Sequence, residues 1–256
     1  MKTAVSLLIL VFVLLLGVAM KTQSESLSQG KMVSYKSDGE SVSGFLVTPE
    51  GEGPFPAIVV IHEWWGLNDQ VKGEAKRLAK EGYVTLAVDL YRVKVTNDPE
   101  EAHELMRGLP EDRAVRDMLA AVSYLKTLPD VKRDRIGSIG WCMGGGYSLS
   151  LAINSPDVSA CAIYYGRLLT DKNQLGKIKA SVIGFFGEQD KGIPPASVKA
   201  FERDMRTLGK NVNTYIYPGA GHAFANEQRS SYNANAANDS WNKTLAFFEK
   251  NLKSDK

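Results

Sequence analysis

Cysteine, aspartate and histidine in three separate loops could together carry out acyl transfer. Cys142 stands in Gly140-Trp141-Cys142-Met143-Gly144, directly after an apolar run. Glycines on both sides of a central residue permit a sharp strand-to-helix turn with unusual backbone angles. Such a nucleophile elbow lifts the central side chain above a sheet and sets the Met143 amide at a helix N-terminus. That terminus helps lower a thiol pKa from its free value of about 8.5. A buried structural cysteine before a glycine-rich helix start would fit the same residues. No serine-centred elbow competes, because Ile136 holds the first glycine position around Ser138.

Asp190 closes the stretch Phe185-Phe186-Gly187-Glu188-Gln189-Asp190. It could orient a histidine, or it could cap or turn the chain before Pro194-Pro195. His222 lies in the glycine-rich loop Tyr217-Pro218-Gly219-Ala220-Gly221-His222, where an ordinary loop histidine would also fit. The chain holds only three histidines. His62 precedes the first cluster and His103 sits in a charged helix that reads as solvated, so His222 has the position of a general base. In the resulting scheme a thiolate attacks an acyl carbon, an imidazole shuttles the proton and a carboxylate fixes the imidazole tautomer.

These residues need a rigid platform. Alternation and apolar runs predict strands over 32–37, 42–48, 57–61, 83–88, 135–139, 158–164, 181–186 and 212–217. Helical spacing predicts helices over 70–81, 99–107, 112–128, 194–208 and 232–252, and one opening at the Cys142 motif. Strands alternating with helices predict an α/β fold with a mostly parallel central sheet covered on both faces. No linker divides it, so residues 27–256 read as one domain. Cys161, inside Val158-Ser159-Ala160-Cys161-Ala162-Ile163, reads as a core residue.

Composition removes other classes. Lys and Arg number 31 against 29 Asp and Glu, a net charge of +2, and no basic stripe offers itself to a nucleic acid. A hydrophobic fraction of 44% excludes an acidic disordered chain. Two cysteines can build neither a disulfide scaffold nor a four-cysteine zinc site. What remains is a globular enzyme or binding module: a hydrolase built on the three residues above, a general esterase among the alternatives, or a noncatalytic binding protein that keeps the pocket.

At the N-terminus, Met1-Lys2-Thr3 precedes an apolar run over 4–20 and then a polar stretch. That is the pattern of a secretory signal over residues 1–26, cleaved after Gly17-Val18-Ala19 or after Thr22-Gln23-Ser24. An uncleaved anchor is the alternative, and only then would the protein meet a membrane. The folded part is expected outside the cytoplasm, secreted or periplasmic, and monomeric.

The order Cys142, Asp190, His222 is the nucleophile-acid-histidine order of α/β-hydrolases. The chain resembles the dienelactone hydrolase family through His62-Glu63-Trp64-Trp65-Gly66-Leu67-Asn68, Asp89-Leu90-Tyr91-Arg92, the Cys142 elbow, Tyr164-Tyr165-Gly166, Gly187-Glu188-Gln189-Asp190 and Gly221-His222-Ala223-Phe224-Ala225. The resemblance implies a Cys-His-Asp triad with no cofactor or metal, acting on small esters or lactones. It implies that Glu63 contacts the resting cysteine and helps to activate it. It also implies an oxyanion hole from the Trp64 and Met143 amides, and substrate binding by Tyr91, Arg92 and Asn226. Arg92 lies one position before an anion-binding arginine of dienelactone-cleaving members. Asn226 takes the place of a second arginine, so only weak preference for carboxylated lactones is expected. The mature chain is expected to begin between Met20 and Leu27, and N-terminal sequencing of protein from the native host would show it. Intact Met1 in a soluble cytoplasmic fraction would overturn that expectation.

Overall fold

The computed structural model describes residues 30–254, so the N-terminal apolar segment and both cleavage positions lie outside the described residues. Strands β1 (Lys31–Ser37) and β2 (Glu40–Val47) form a hairpin. Its turn at Asp38-Gly39 has φ of 48° and 81°, the paired positive angles that an Asp-Gly hairpin accommodates. There follow β3 (Phe55–Ile61), α1 (Asp69–Lys80), β4 (Val84–Val88), α2 (Pro99–Arg107) and α3 (Glu111–Thr127). The chain continues through β5 (Val131–Trp141), α4 (Met143–Asn154), β6 (Val158–Tyr164) and the short α5 (Lys172–Leu175). It ends with β7 (Ser181–Gly187), α6 (Pro195–Thr207), β8 (Val212–Tyr217), α7 (Ala234–Phe248) and a π-helical turn, Glu249–Lys253.

The eight strands form one sheet in the order β1-β2-β4-β3-β5-β6-β7-β8. The hairpin and the β2–β4 pair are antiparallel, and every pair from β4 to β8 is parallel. Parallel strands need crossovers, and the helices provide them on both faces. Successive residues of β3 therefore enter opposite cores. Val59 and Ile61 pack with Met118, Ala121 and Leu125 of α3, whereas Ile58 and Val60 pack with Leu78 of α1 and Phe248 of α7. Each fully buried aliphatic side chain contributes about 1.5–3 kcal/mol. This is the mostly parallel sheet covered on both faces that the pattern predicts, and it fits the α/β-hydrolase fold that the resemblance implies.

Some boundaries differ from the expectation. β5 starts four residues earlier than predicted, because Lys132, Arg133 and Asp134 are exposed there and broke the apolar run. The last helix starts at Ala234, where the Asn233 side chain accepts from the Ala236 amide as an N-cap. The helix after Gly187 begins at Pro195, a proline in the first turn where its missing N–H is harmless.

Two glycines fix where the sheet meets α4. A Cβ on Gly144 would lie 2.3 Å from the Ile61 carbonyl oxygen and 2.5 Å from that of His62. A Cβ on Gly140 would lie 2.1 Å from the Gly144 oxygen. The start of α4 is thus pressed directly onto the end of β3. Gly144→Ala is expected to lower stability by about 1–3 kcal/mol through overpacking, with backbone on both sides unable to yield cheaply. Urea unfolding of the variant and parent would measure it, and equal midpoints would mean that the contact is softer than its distances imply.

Candidate active site

Six parallel strand ends open onto one edge of the sheet, and the chemistry-bearing loops leave from four of them. Cys142 joins β5 to α4 with φ 55° and ψ −118°. A non-glycine residue rarely holds such angles and pays about 1–3 kcal/mol in strain. The surrounding hydrogen bonds impose them. The Cys142 amide donates to the Tyr164 carbonyl (3.0 Å), and the Cys142 carbonyl accepts from the Gly145 amide (3.1 Å). The side chain is half-buried and its thiol is free. The Met143 amide stands at the N-terminus of α4, as the elbow requires.

His222 follows β8 and Asp190 follows β7. His222 Nδ1 lies 2.7 Å from Asp190 Oδ2. The other Asp190 oxygen accepts from the amides of Gly192 (2.8 Å) and Ile193 (3.1 Å). One carboxylate therefore serves both readings made from the sequence, the turn and the histidine partner. Burial opposes ionisation of Asp190, but the His222 hydrogen bond and charge and the two amides hold it below the usual carboxylate range. Burial also disfavours a charged His222. Its bond to Asp190 and the neighbouring Cys142 sulfur outweigh that and push it up to about 10. With Nδ1 on Asp190, Nε2 is the ring nitrogen left for chemistry.

Glu63 lies at the end of β3 and is only 3% exposed. Its Oε2 accepts from Asn226 Nδ2 (2.7 Å) and its Oε1 from the Tyr165 hydroxyl (3.4 Å). Burial raises its pKa, opposed by the Asn226 bond and by the nearby positive charges of Arg229 and His222. Among the described residues neither oxygen bonds to Cys142, which differs from the contact that the resemblance implied. Asn226 explains the difference, since it draws the carboxylate towards itself and Tyr165. The amides of Trp64 and Met143 make no hydrogen bond among the described residues, so both remain available to a bound oxygen.

The three residues assigned to substrate binding are occupied elsewhere. Arg92 has φ 57° in a left-handed turn, and its guanidinium leaves towards the hairpin. It donates to Asp117 (2.9 Å), Glu40 (3.0 Å) and the Ser41 carbonyl (2.6 Å). The Asp117 side chain is fully buried, and a buried carboxylate without a cation would be costly, so Arg92 is committed there. Asn226 is 2% exposed, with its amide on Glu63 and its oxygen accepting from the Gln228 amide. The buried Tyr91 donates its hydroxyl to Met143 Sδ (3.2 Å) and supports the elbow from beneath.

Other residues emerge only from the structure. Tyr165, with φ 37°, holds Glu63 and sets its ring 5.2 Å from that of His222. Arg229 lies over the Trp65 ring at 3.9 Å and acts on Glu63 through its charge. His62 is buried, and its Nε2 accepts from the Leu90 amide (3.3 Å), which ties β3 to the loop after β4. Burial lowers its pKa and keeps it neutral. His103 is exposed as expected, yet its ring packs 4.8 Å from that of Trp64. The signal for Tyr165 was its place beside Gly166 at a strand end on this edge. Cys161 is fully buried as expected, near Ser148 Oγ at 3.4 Å, and burial pushes its thiol up to about 11. Among the described residues no cluster of His, Cys, Asp and Glu could hold a metal ion.

Fold, elbow and strand-end loops together define an α/β-hydrolase. The model of the dienelactone hydrolase family matches residues 42–252, and the chain belongs to that family. It is 32% identical over 241 residues to a Methylorubrum extorquens protein named as a carboxymethylenebutenolidase, covering 89% of this chain and 82% of that one. A solved dienelactone hydrolase structure from Klebsiella pneumoniae superposes with a TM-score of 0.80 at 26% identity, covering 87% of this chain and 98% of the other. A dienelactone hydrolase-like promiscuous phosphotriesterase from metagenomic libraries superposes equally well, at 0.80 and 26%, covering 88% and 98%. The protein is a dienelactone hydrolase-like hydrolase.

The His222–Asp190 pair gives stability a defined pH dependence. A histidine raised from 6.5 to about 10 binds a proton in the native state that the unfolded chain releases between those values. Its contribution is complete below pH 6.5 and is lost as pH rises through about 10. The lowered Asp190 acts at the other end, and its contribution is lost as pH falls below the carboxylate range. Glu63, raised by burial, loses stability as pH rises from the carboxylate range upwards. His222→Gln should therefore flatten the alkaline fall in stability and leave the Glu63 part in place. Urea unfolding across the pH series would report it, and identical slopes in parent and variant would contradict the pairing.

Proposed function

We propose that the protein hydrolyses small esters or lactones through a thioester on Cys142. The observation that carries this reading is the His222 ring, held at 2.7 Å by Asp190 on one side and influenced by the elbow cysteine on the other. The Cys142 thiol passes its proton to His222 Nε2, its sulfur attacks the acyl carbon, and the carbonyl oxygen takes up charge between the Trp64 and Met143 amides. Donors placed where charge develops stabilise the transition state more than the ground state. His222 gives a proton to the departing alkoxide. A water then loses its proton to His222 and cleaves the thioester, and His222 returns that proton to the departing thiolate, which restores the thiol. Asp190 keeps Nε2 facing the reaction by holding Nδ1. Glu63, fixed by Asn226 and Tyr165, acts on the pair through its charge. No cofactor enters this scheme.

The engagement of Arg92 with Asp117 favours neutral substrates at the elbow. A carboxylate directly beside the scissile bond would find no free arginine from that loop, and Asn226 is turned to Glu63. Small esters and lactones with no carboxylate directly beside the scissile bond are therefore the expected substrates.

Release of p-nitrophenol from p-nitrophenyl acetate tests the scheme. Cys142→Ala and His222→Ala should each reduce kcat by at least about 1,000-fold, because such residues act as a unit. The melting temperature of Cys142→Ala should stay close to the parent's, and iodoacetamide should inactivate the parent. His103→Ala should change the rate only severalfold. Parent-like turnover by Cys142→Ala would exclude the thiol as nucleophile, and a loss of about 1,000-fold in His103→Ala would mean that the base is misassigned.

A further inference from the structure

A cavity of ≈ 350 Å³ lies along one side of α4, beginning at Met143 one residue past the elbow, and the scheme above leaves it unused. Its size falls at the lower end of the range for small-molecule sites, about 300–1,000 Å³. Met143, the residue after the proposed nucleophile, forms part of its wall, with Tyr147 one turn further on and Leu169 opposite. Three charged side chains also line it: Arg107 at the end of α2, Glu111 at the start of α3, and Arg167 just after β6. Neither arginine forms an ion pair among the described residues. Arg167 is held close to α4, since a Cβ on Gly146 would lie 3.4 Å from the Arg167 carbonyl oxygen. Glu111 and Arg167 lie near one another here, since the charges of both act on the Tyr147 hydroxyl.

We propose that this cavity is an acyl-arm subsite for esters that end in a carboxylate, gripped by Arg107 and Arg167. The proposal rests on Cys142 as the attacking group. Met143, Tyr147 and Leu169 cover the methylenes, and guanidinium groups suit a carboxylate because they donate in parallel pairs. Gly146 is four residues beyond Cys142, an axial rise of about 6 Å. An arm of roughly four to six carbons spans that rise. The favoured substrates are thus monoesters of medium dicarboxylic acids. Their carboxylate sits away from the scissile bond, unlike one placed directly beside it. In the reaction the thiolate displaces the alcohol, a sulfur–acyl bond forms, and water cleaves it to release the free dicarboxylic acid.

The test compares mono-4-nitrophenyl adipate with 4-nitrophenyl hexanoate, two arms of equal length that differ in the terminal charge. The parent should favour the adipate ester in kcat/KM by roughly tenfold, the scale of one partly solvated charge-assisted hydrogen bond. Arg107→Gln and Arg167→Gln should each reduce that ratio several-fold, and Glu111→Gln should raise it. Calorimetric titration of adipate into Cys142→Ala, with and without Arg167→Gln, reads the subsite without turnover, and the arginine change should weaken binding. If the esters are hydrolysed but neither ratio nor adipate affinity responds to the arginines, the subsite is wrong and the hydrolase reading stands. If the parent turns over neither ester yet binds adipate through the arginines, the hydrolase reading is wrong and the anion site stands. No turnover and no arginine-dependent binding would overturn both.

Discussion

The end of β3 and the start of α4 touch backbone to backbone, and the rest of the site is arranged around that contact. With no side chain at Gly144, the carbonyls of Ile61 and His62 lie where a Cβ would stand. The helix can approach only because the elbow turns so sharply, and the sharp turn forces Cys142 to φ 55°. The same crossing brings Glu63 and the Trp64 amide, the next residues of the chain, beside the Met143 amide. Main chain placed against main chain has fewer alternative positions than interlocked side chains do. The positions of Cys142 and of the Trp64 and Met143 amides are thus consequences of one packing event.

Charge in the site is handled by loops that depend on each other. The loop after β7 reaches the loop after β8 through the Gln189 amide on the Ala220 carbonyl (2.8 Å) and the Glu188 amide on the Tyr217 carbonyl (3.0 Å). Asp190 and His222 are set at hydrogen-bond distance by these main-chain bonds before their side chains meet. Glu63 represents the opposite case, a carboxylate in a dry place supported by a neutral amide and a phenol. Two carboxylates on one sheet edge are therefore pushed apart in acidity by their surroundings, one down and one up.

Chain order made much of this legible. Apolar runs located every strand of the parallel sheet, and the residues just past three of them were the ones the structure brings together: Cys142, Asp190 and His222. What remained hidden was side-chain direction in the loops. The resemblance made Arg92 an anion clamp by position, but a left-handed turn aims it at Asp117, a carboxylate buried on the inner face of α3. Asn226 is four residues past His222, and nothing in linear order shows that it meets a glutamate 163 residues away. Tyr165 shows no role in linear order, because its contacts to Glu63 and His222 exist only once β3, β6 and β8 share a sheet.

The chain's two sulfurs live in different worlds. Cys142 is half-exposed at the elbow, whereas Cys161 is sealed in β6 behind Ser148, within the parallel sheet. A thiol reagent added to the native protein would meet one cysteine and would find the second only after the sheet has come apart. Counting modified cysteines therefore separates modification at the elbow from loss of the fold. The same asymmetry shapes oxidative damage: an oxidant reaches the elbow first, and the inner thiol survives as a record that the fold was intact.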